Sequence, residues 1–313
     1  DEMNMHVPQN YKAVVEAEHI MGISKNLISP SNSQPIFGMI QDVLLGIWFL
    51  TKKDTFLTRE TAMQIISSLK SDTWKIFSTL SPAVLKPEVL YTGKQLFSCL
   101  LPHDLNLIDK RNKSGKGKEL EEARESDNVL VIRNGKHLSG RIDKSMMGSA
   151  PGGILDIVCR DEVGEHAVAF LSNTQRMAIA FLAYHGFTCS LQDSLIDNDT
   201  HEKISQKIGE TFNFISNHKH IMSEEQQMDS LLRCVDYCGV RALESLSDKT
   251  RSTSDNGLLT MVNSGSKGSA INISQISGCV GMQMVSGRRI FTTGDASSRT
   301  LPCFSHDEHT PLS

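Results

Sequence analysis

A mixed α+β chain, with a helix-and-hairpin part followed by a helical part, is predicted by three observations. Val129-Leu130-Val131-Ile132-Arg133, then Asn134-Gly135, then Lys136 to Ile142, is a β-hairpin pattern, because Asn-Gly supplies the positive φ angles that a tight turn needs. Residues 199–247 carry two long amphipathic stripes at helical spacing. The 313 residues, at about 150 per domain, allow two domains.

In chain order, residues 1–9 read as a short strand ending at Pro8. Residues 11–21 are helix-like, stopped by Gly22. The polar turn Ser29 to Pro35 precedes a buried helix from Met39 to Leu50, whose length suits a helix better than a strand. Thr58 caps a helix running to Leu69, and Thr92-Gly93-Lys94-Gln95 opens another that runs to Leu101 before Pro102. Residues 104–128 hold 13 charges, basic from Lys110 to Lys118 and mainly acidic after Glu119, and read as a solvated insertion. After the hairpin, Glu165 to Tyr184 is a long helix with Val168, Leu171, Ile179 and Leu182 among its apolar positions and Gly186 as its cap. Ile204, Ile208, Phe212 and Ile215 form one stripe of the helical part. Met228, Leu231, Leu232, Val235, Leu243 and Leu246 form the other. Ser247 to Gly257 is a polar linker, and a further helix starts near Ala270.

Composition narrows the function classes. Apolar residues make up 39%, enough for a core, so wholesale disorder is excluded. The 32 basic and 36 acidic residues leave a net charge of −4, which argues against a basic coat along the whole chain but leaves local patches open. The longest apolar run, Val43 to Leu50, is far short of the roughly 20 residues of a membrane span. Seven scattered cysteines read as reduced intracellular thiols. Asp1 is not a start methionine, and the chain reads as a piece of a longer polypeptide.

Few side chains suggest chemistry by themselves. Cys234 and Cys238 lie four apart on a helix, yet no Cys or His pair stands at partner spacing, and His218 and His220 fall on different faces, so structural thiols are expected. Ser98, His103 and Asp104 lack an oxyanion element and do not make a triad. Gly265-Ser266-Lys267-Gly268-Ser269 departs from the mononucleotide-binding pattern. Its two glycines expose backbone N–H groups, and Lys267 adds a cation ahead of a helix N-terminus. It reads either as a segment that meets phosphates or as a plain helix–loop–helix junction.

Ordered motifs then point to a family. Asp1-Glu2-Met3-Asn4-Met5-His6-Val7-Pro8-Gln9 resembles the segment after the catalytic aspartates in the largest subunit of multisubunit DNA-directed RNA polymerases, where Asn-Ala-Asp-Phe-Asp-Gly-Asp precedes Glu-Met-Asn-Leu-His-Val-Pro-Gln. Ser29-Pro30 with Gln41-Asp42, Lys86-Pro87, Thr92-Gly93-Lys94-Gln95 and Gly148-Ser149-Ala150-Pro151-Gly152-Gly153 follow in the family's order. Ser264 to Ser269, Ile271-Asn272-Ile273-Ser274-Gln275, Val280-Gly281 and Arg299-Thr300-Leu301-Pro302 continue it. The pattern is that of eukaryotic, archaeal or large-DNA-virus enzymes. The charged stretch 104–128 fits it least.

The resemblance implies an architecture. Residues 1–29 would form the exit of a double-psi β-barrel holding the metal, 30–192 a pore domain and 200–313 a mainly helical funnel domain lining a secondary channel. It implies template-directed nucleotidyl transfer from ribonucleoside triphosphates, with an RNA 3′-hydroxyl attacking an α-phosphate and pyrophosphate leaving. Two Mg²⁺ ions would act, Asp1 being the third carboxylate of the metal-binding triad. Lys267 would face phosphates, and Lys144 would match one lysine of a family pair whose second member is Ser145 here. Asn272, Gln275 and Gln283 would lie on the nucleotide and RNA path. Implied partners are DNA template, RNA transcript, nucleoside triphosphates, the second-largest subunit and smaller subunits, with no membrane. The location would be the nucleus in a eukaryote, or the cytoplasm or virion otherwise. The chain by itself would be inactive. The reading from another class is a non-catalytic helical interaction module.

Overall fold

The structure is a computed structural model that describes residues 3–70, 73–109, 127, 129–162, 164–218, 220–247, 256–281, 283–285 and 288–289. Asp1, most of the charged insertion, most of the 247–257 linker and the Arg299 to Pro302 motif lie outside them. The chain forms two compact units, residues 1–187 with 263–267, and residues 188–262 with 268–313. Helices and small antiparallel sheets together make it α+β.

The core of the first unit is helix α2 (Gln41–Leu50) lying along a second helix, Glu165–His185. Seven of the ten α2 residues are buried, as expected for a helix that is apolar all round. Close approach depends on Gly46, where a Cβ would stand 2.5 Å from the Ala178 carbonyl oxygen. The partner helix buries Ala167, Phe170, Asn173, Thr174, Met177, Ala178 and Phe181, a stripe at three- and four-residue spacing. Of the apolar positions singled out in the sequence, Val168, Leu171 and Leu182 are only partly buried and Ile179 is exposed. The buried face mixes large residues with small ones, and it is at Ala178 that it admits Gly46 of α2.

Two strand–cap–helix units pack around this pair. Strand β1 (Phe56–Thr58) pairs antiparallel with β2 (Leu90–Thr92), and each strand ends in a threonine that caps the next helix. Thr58 Oγ1 accepts from Thr61 N at 3.3 Å and caps α3 (Arg59–Ser67). A short helix, α4, covers Thr73–Ser78. Thr92 forms a capping box with Gln95 and opens α5, which ends at Ser98 rather than reaching Leu101. Strands β3 (Leu107–Asp109), β4 (Leu130–Arg133) and β5 (Lys136–Ser139) form a three-stranded antiparallel sheet. The turn between the last two holds Asn134 at φ 48° and Gly135 at φ 68°, as the Asn-Gly pattern requires. The N-terminal segment differs from expectation. Residues 3–9 form neither strand nor helix, and the first element is α1 (Tyr11–His19).

In the second unit, Asn198–His218 and Glu224–Ser247 pair as long helices. Ile204 and Ile215 of the first stripe are buried, as expected. On the second helix the buried residues are Cys234, Cys238, Gly239, Ala242 and Ser245, whereas Leu232 is exposed. Five of the six large residues of the expected stripe, Met228, Leu231, Val235, Leu243 and Leu246, are thus half-buried beside a buried face of small ones. The reason lies in Ala270–Ser277, which packs against that face so closely that a Cβ at Gly239 would stand 3.0 Å from Ser274 Cβ. Two-residue strands, Met284–Val285 and Arg288–Arg289, pair antiparallel beyond it.

Candidate functional site

Lys144 is carried by a short segment fixed at each of its residues. Ile142, fully buried, donates its N–H to Thr51 Oγ1 at 3.1 Å, at the C-terminal end of α2. Asp143 accepts from Ser145 N at 2.9 Å and from the Ser145 hydroxyl, so it caps the one-turn helix Lys144–Met147. Ser145, which stands where the second lysine was sought, thus has its side chain committed to that cap. Met146 and Met147 are buried, and Met39 N donates to Met147 O at 2.8 Å. Lys144 itself is exposed.

The loop 263–267 belongs to the same unit. Gly265 has φ 74°, and a Cβ there would stand 2.5 Å from Lys144 Cβ, 3.1 Å from its Cδ and 3.3 Å from its Cγ. The loop therefore lies against the aliphatic stem of Lys144. Lys267, two residues further on, is exposed. Neither lysine makes an ion pair among the described residues. The structure thus brings the two lysine-bearing segments together, although they are more than 100 residues apart in sequence.

The polar candidates of the second unit sit on and after its last helix. Asn272 Oδ1 accepts from Ser269 N at 2.8 Å and from Ser269 Oγ at 2.9 Å, forming a capping box. Its carbonyl end is used locally, which leaves its amide N–H₂ for a ligand. Gln275 and Gln283 are exposed. Asp1 lies outside the described residues.

Among the described residues no group of three or more His, Cys, Asp or Glu side chains could hold a metal ion. Cys234 and Cys238 are core residues, as expected. Burial first, and then the neighbouring Cys234, push the Cys238 thiol up to about 12, so it stays protonated near neutral pH. His218 bonds the Phe214 carbonyl of its own helix. No helix among the described residues is long and apolar enough to cross a membrane.

Comparison with known proteins decides the family. Residues 26–194 match the family model for RNA polymerase Rpb1, domain 3, and residues 196–313 match that for RNA polymerase Rpb1, domain 4. The chain belongs to the RNA polymerase Rpb1 family. It is 34% identical over 325 residues to the DNA-directed RNA polymerase II subunit RPB1-B of Trypanosoma brucei brucei, covering 99% of this chain and 17% of that protein. It is also 34% identical over 337 residues to the human DNA-directed RNA polymerase III subunit RPC1, covering 100% of this chain and 23% of that one. The chain therefore spans about a fifth of the length of the curated relatives it matches.

Within this Rpb1 framework, the supporting residues Thr51 and Asp143 escaped the sequence reading, while Gly148 and Gly265 were read only as parts of their motifs and not for their contacts with Lys144. Asp143 could have been found from Asp-x-Ser at a helix start. Thr51 and Gly265 act through contacts made across the fold and leave no local signal.

Proposed function

We propose that this chain is part of the catalytic largest subunit of a DNA-directed RNA polymerase, which makes RNA by template-directed nucleotidyl transfer from ribonucleoside triphosphates. Within that subunit, residues 1–29 would leave the double-psi barrel at the metal site, 30–192 would form the pore and 200–313 the funnel. The DNA template, the transcript, the second-largest subunit and the smaller subunits would be its partners, in the nucleus of a eukaryote. The observation that carries this reading is the match of two consecutive Rpb1 domain models over residues 26–194 and 196–313.

The described residues do not make a metal site by themselves. Mg²⁺, held in the whole enzyme by an aspartate triad to which Asp1 would contribute, supplies neutralisation of phosphate charge. The role assigned to the described residues is electrostatic and steric. Lys144 and Lys267 would face triphosphates or the phosphates of an RNA 3′ end, each contact being worth about 1–3 kcal/mol as a charge-assisted hydrogen bond. The Asn272 amide, Gln275 and Gln283 would add neutral donors along the same path.

The test is a complete polymerase carrying Lys267→Ala or Lys144→Ala. Slower elongation at limiting nucleotide, or altered cleavage of backtracked RNA, with normal assembly supports the reading. Unchanged elongation and unchanged cleavage in both variants would assign the lysines to plain surface.

A further inference from the structure

We infer that Gly265, together with Gly148, is a positioning residue for Lys144: the two glycines form a slot that holds the lysine stem and aims its ammonium at a phosphate-bearing ligand. This rests on the phosphate-path reading of Lys144.

The slot follows from two close approaches on the same side chain. A Cβ at Gly265 would fall 2.5 Å from Lys144 Cβ and 3.1 Å from its Cδ, and a Cβ at Gly148 would fall 3.3 Å from its Cγ. The first distance is inside any real carbon–carbon contact, so either the loop or the lysine must move if Gly265 gains a side chain. The backbone beneath cannot absorb the shift. Gly148 N donates to Lys144 O at 2.8 Å, and a Cβ at Gly38 would stand 3.1 Å from Gly148 Cα. The Lys144 stem is thus approached both by packed backbone at Gly148 and by the loop at Gly265.

The chemistry gives the slot a use. A lysine stem has four rotatable bonds, and ordering them on binding costs affinity. A stem already held between two backbones has less freedom to lose when its ammonium meets an anion. Lys267, exposed on the same loop, supplies a second cation, so a displacement of the loop moves both charges. The fitting ligand is polyanionic, a nucleoside triphosphate or a phosphate-linked RNA end.

The experiment is a double-mutant cycle in the complete polymerase, using Gly265→Ala and Lys144→Gly singly and together. The KM for nucleoside triphosphate, kcat and RNA cleavage are read separately. Gly265→Ala should raise KM about tenfold, the size of one lost charge-assisted contact, with a smaller change in kcat. In the Lys144→Gly background, which lacks the atoms it would strike, Gly265→Ala should add little. An equal effect in both backgrounds overturns the positioning role. Gly265→Asn separates space from backbone strain, since Asn tolerates positive φ. It should behave like Ala, and wild-type behaviour would overturn the slot. If Gly265→Ala blocks assembly, Lys144→Gly should restore it, and failure to restore it counts against the contact. If Lys144→Gly itself leaves KM and cleavage unchanged, the phosphate-path reading falls, and the slot with it.

Discussion

Ile142 donates its backbone N–H to the hydroxyl oxygen of Thr51 across 91 positions of the chain. Both residues are fully buried, and the Thr51 hydroxyl itself donates to Ile47 O at 2.8 Å. A core helix end is thereby tied to the segment that presents Lys144. Thr51→Val keeps the volume and removes the acceptor, leaving the Ile142 N–H buried and unpaired. The loss should be about 1–3 kcal/mol. Urea unfolding of the chain should show a lower midpoint with an unchanged slope, and an unchanged midpoint would mean the bond contributes nothing.

Gly46→Ala opposes two effects. Ala gains about 1 kcal/mol of helix propensity over Gly. The new Cβ would stand 2.5 Å from the Ala178 carbonyl oxygen, which is backbone and moves only with its helix. Overpacking costs typically about 1–3 kcal/mol, and a clash with backbone belongs at the upper end. Net destabilisation is expected, read as a lower midpoint. A stabilised Gly46→Ala chain would show that the two helices are not in close contact.

His137 gives a pH dependence with a definite sign. Burial, reinforced by the Lys94 charge, lowers its pKa from 6.5 to about 4, against the smaller opposing effects of the Gly140 carbonyl and Asp127. Its Nε2 lies 2.9 Å from the Gly140 carbonyl oxygen, so the neutral ring holds its proton there as the donor. Between pH 6.5 and about 4 the unfolded chain binds a proton that the folded chain does not. Stability contributed by His137 is therefore full above pH 6.5 and falls with pH through that window, by on the order of 3 kcal/mol. His137→Gln, which retains a donor, should remove this component from a stability–pH curve. An identical curve would show that His137 titrates normally.

Thiol reactivity should follow burial. Burial pushes Cys99 and Cys238 up to about 12, so neither forms appreciable thiolate near pH 8. Among the described cysteines, exposed Cys189 should be alkylated by iodoacetamide first under native conditions. Mass mapping that found Cys99 or Cys238 modified ahead of Cys189 would contradict the packing.

What was legible in the sequence was local. Asn134-Gly135, the Thr58 and Thr92 caps and the apolar run of α2 each encode their structure within a few residues. What was not legible depends on partners remote in sequence. Three-residue strands Phe56–Thr58 and Leu90–Thr92 have no alternation to detect and exist because they pair with each other. Cys234 and Cys238 were read as structural thiols, but the stripe was drawn through larger neighbours and Ala242 was passed over. Small size is what brings the Ala270–Ser277 helix close, and hydrophobicity counts do not register it. Lys144 and Lys267 were each marked as candidates, but their convergence through Gly265 required the fold.

The residue-by-residue placement of this chain on the Rpb1 family is tested most directly by primer extension with a complete polymerase carrying Asp1→Ala. A carboxylate that holds metal is expected to be indispensable to the reaction but not to packing. Extension should be abolished while subunit assembly and nucleic-acid binding persist. Extension near the wild-type rate would contradict the assignment of Asp1 as the third metal-binding carboxylate, and with it the register on which Lys144 and Lys267 were assigned.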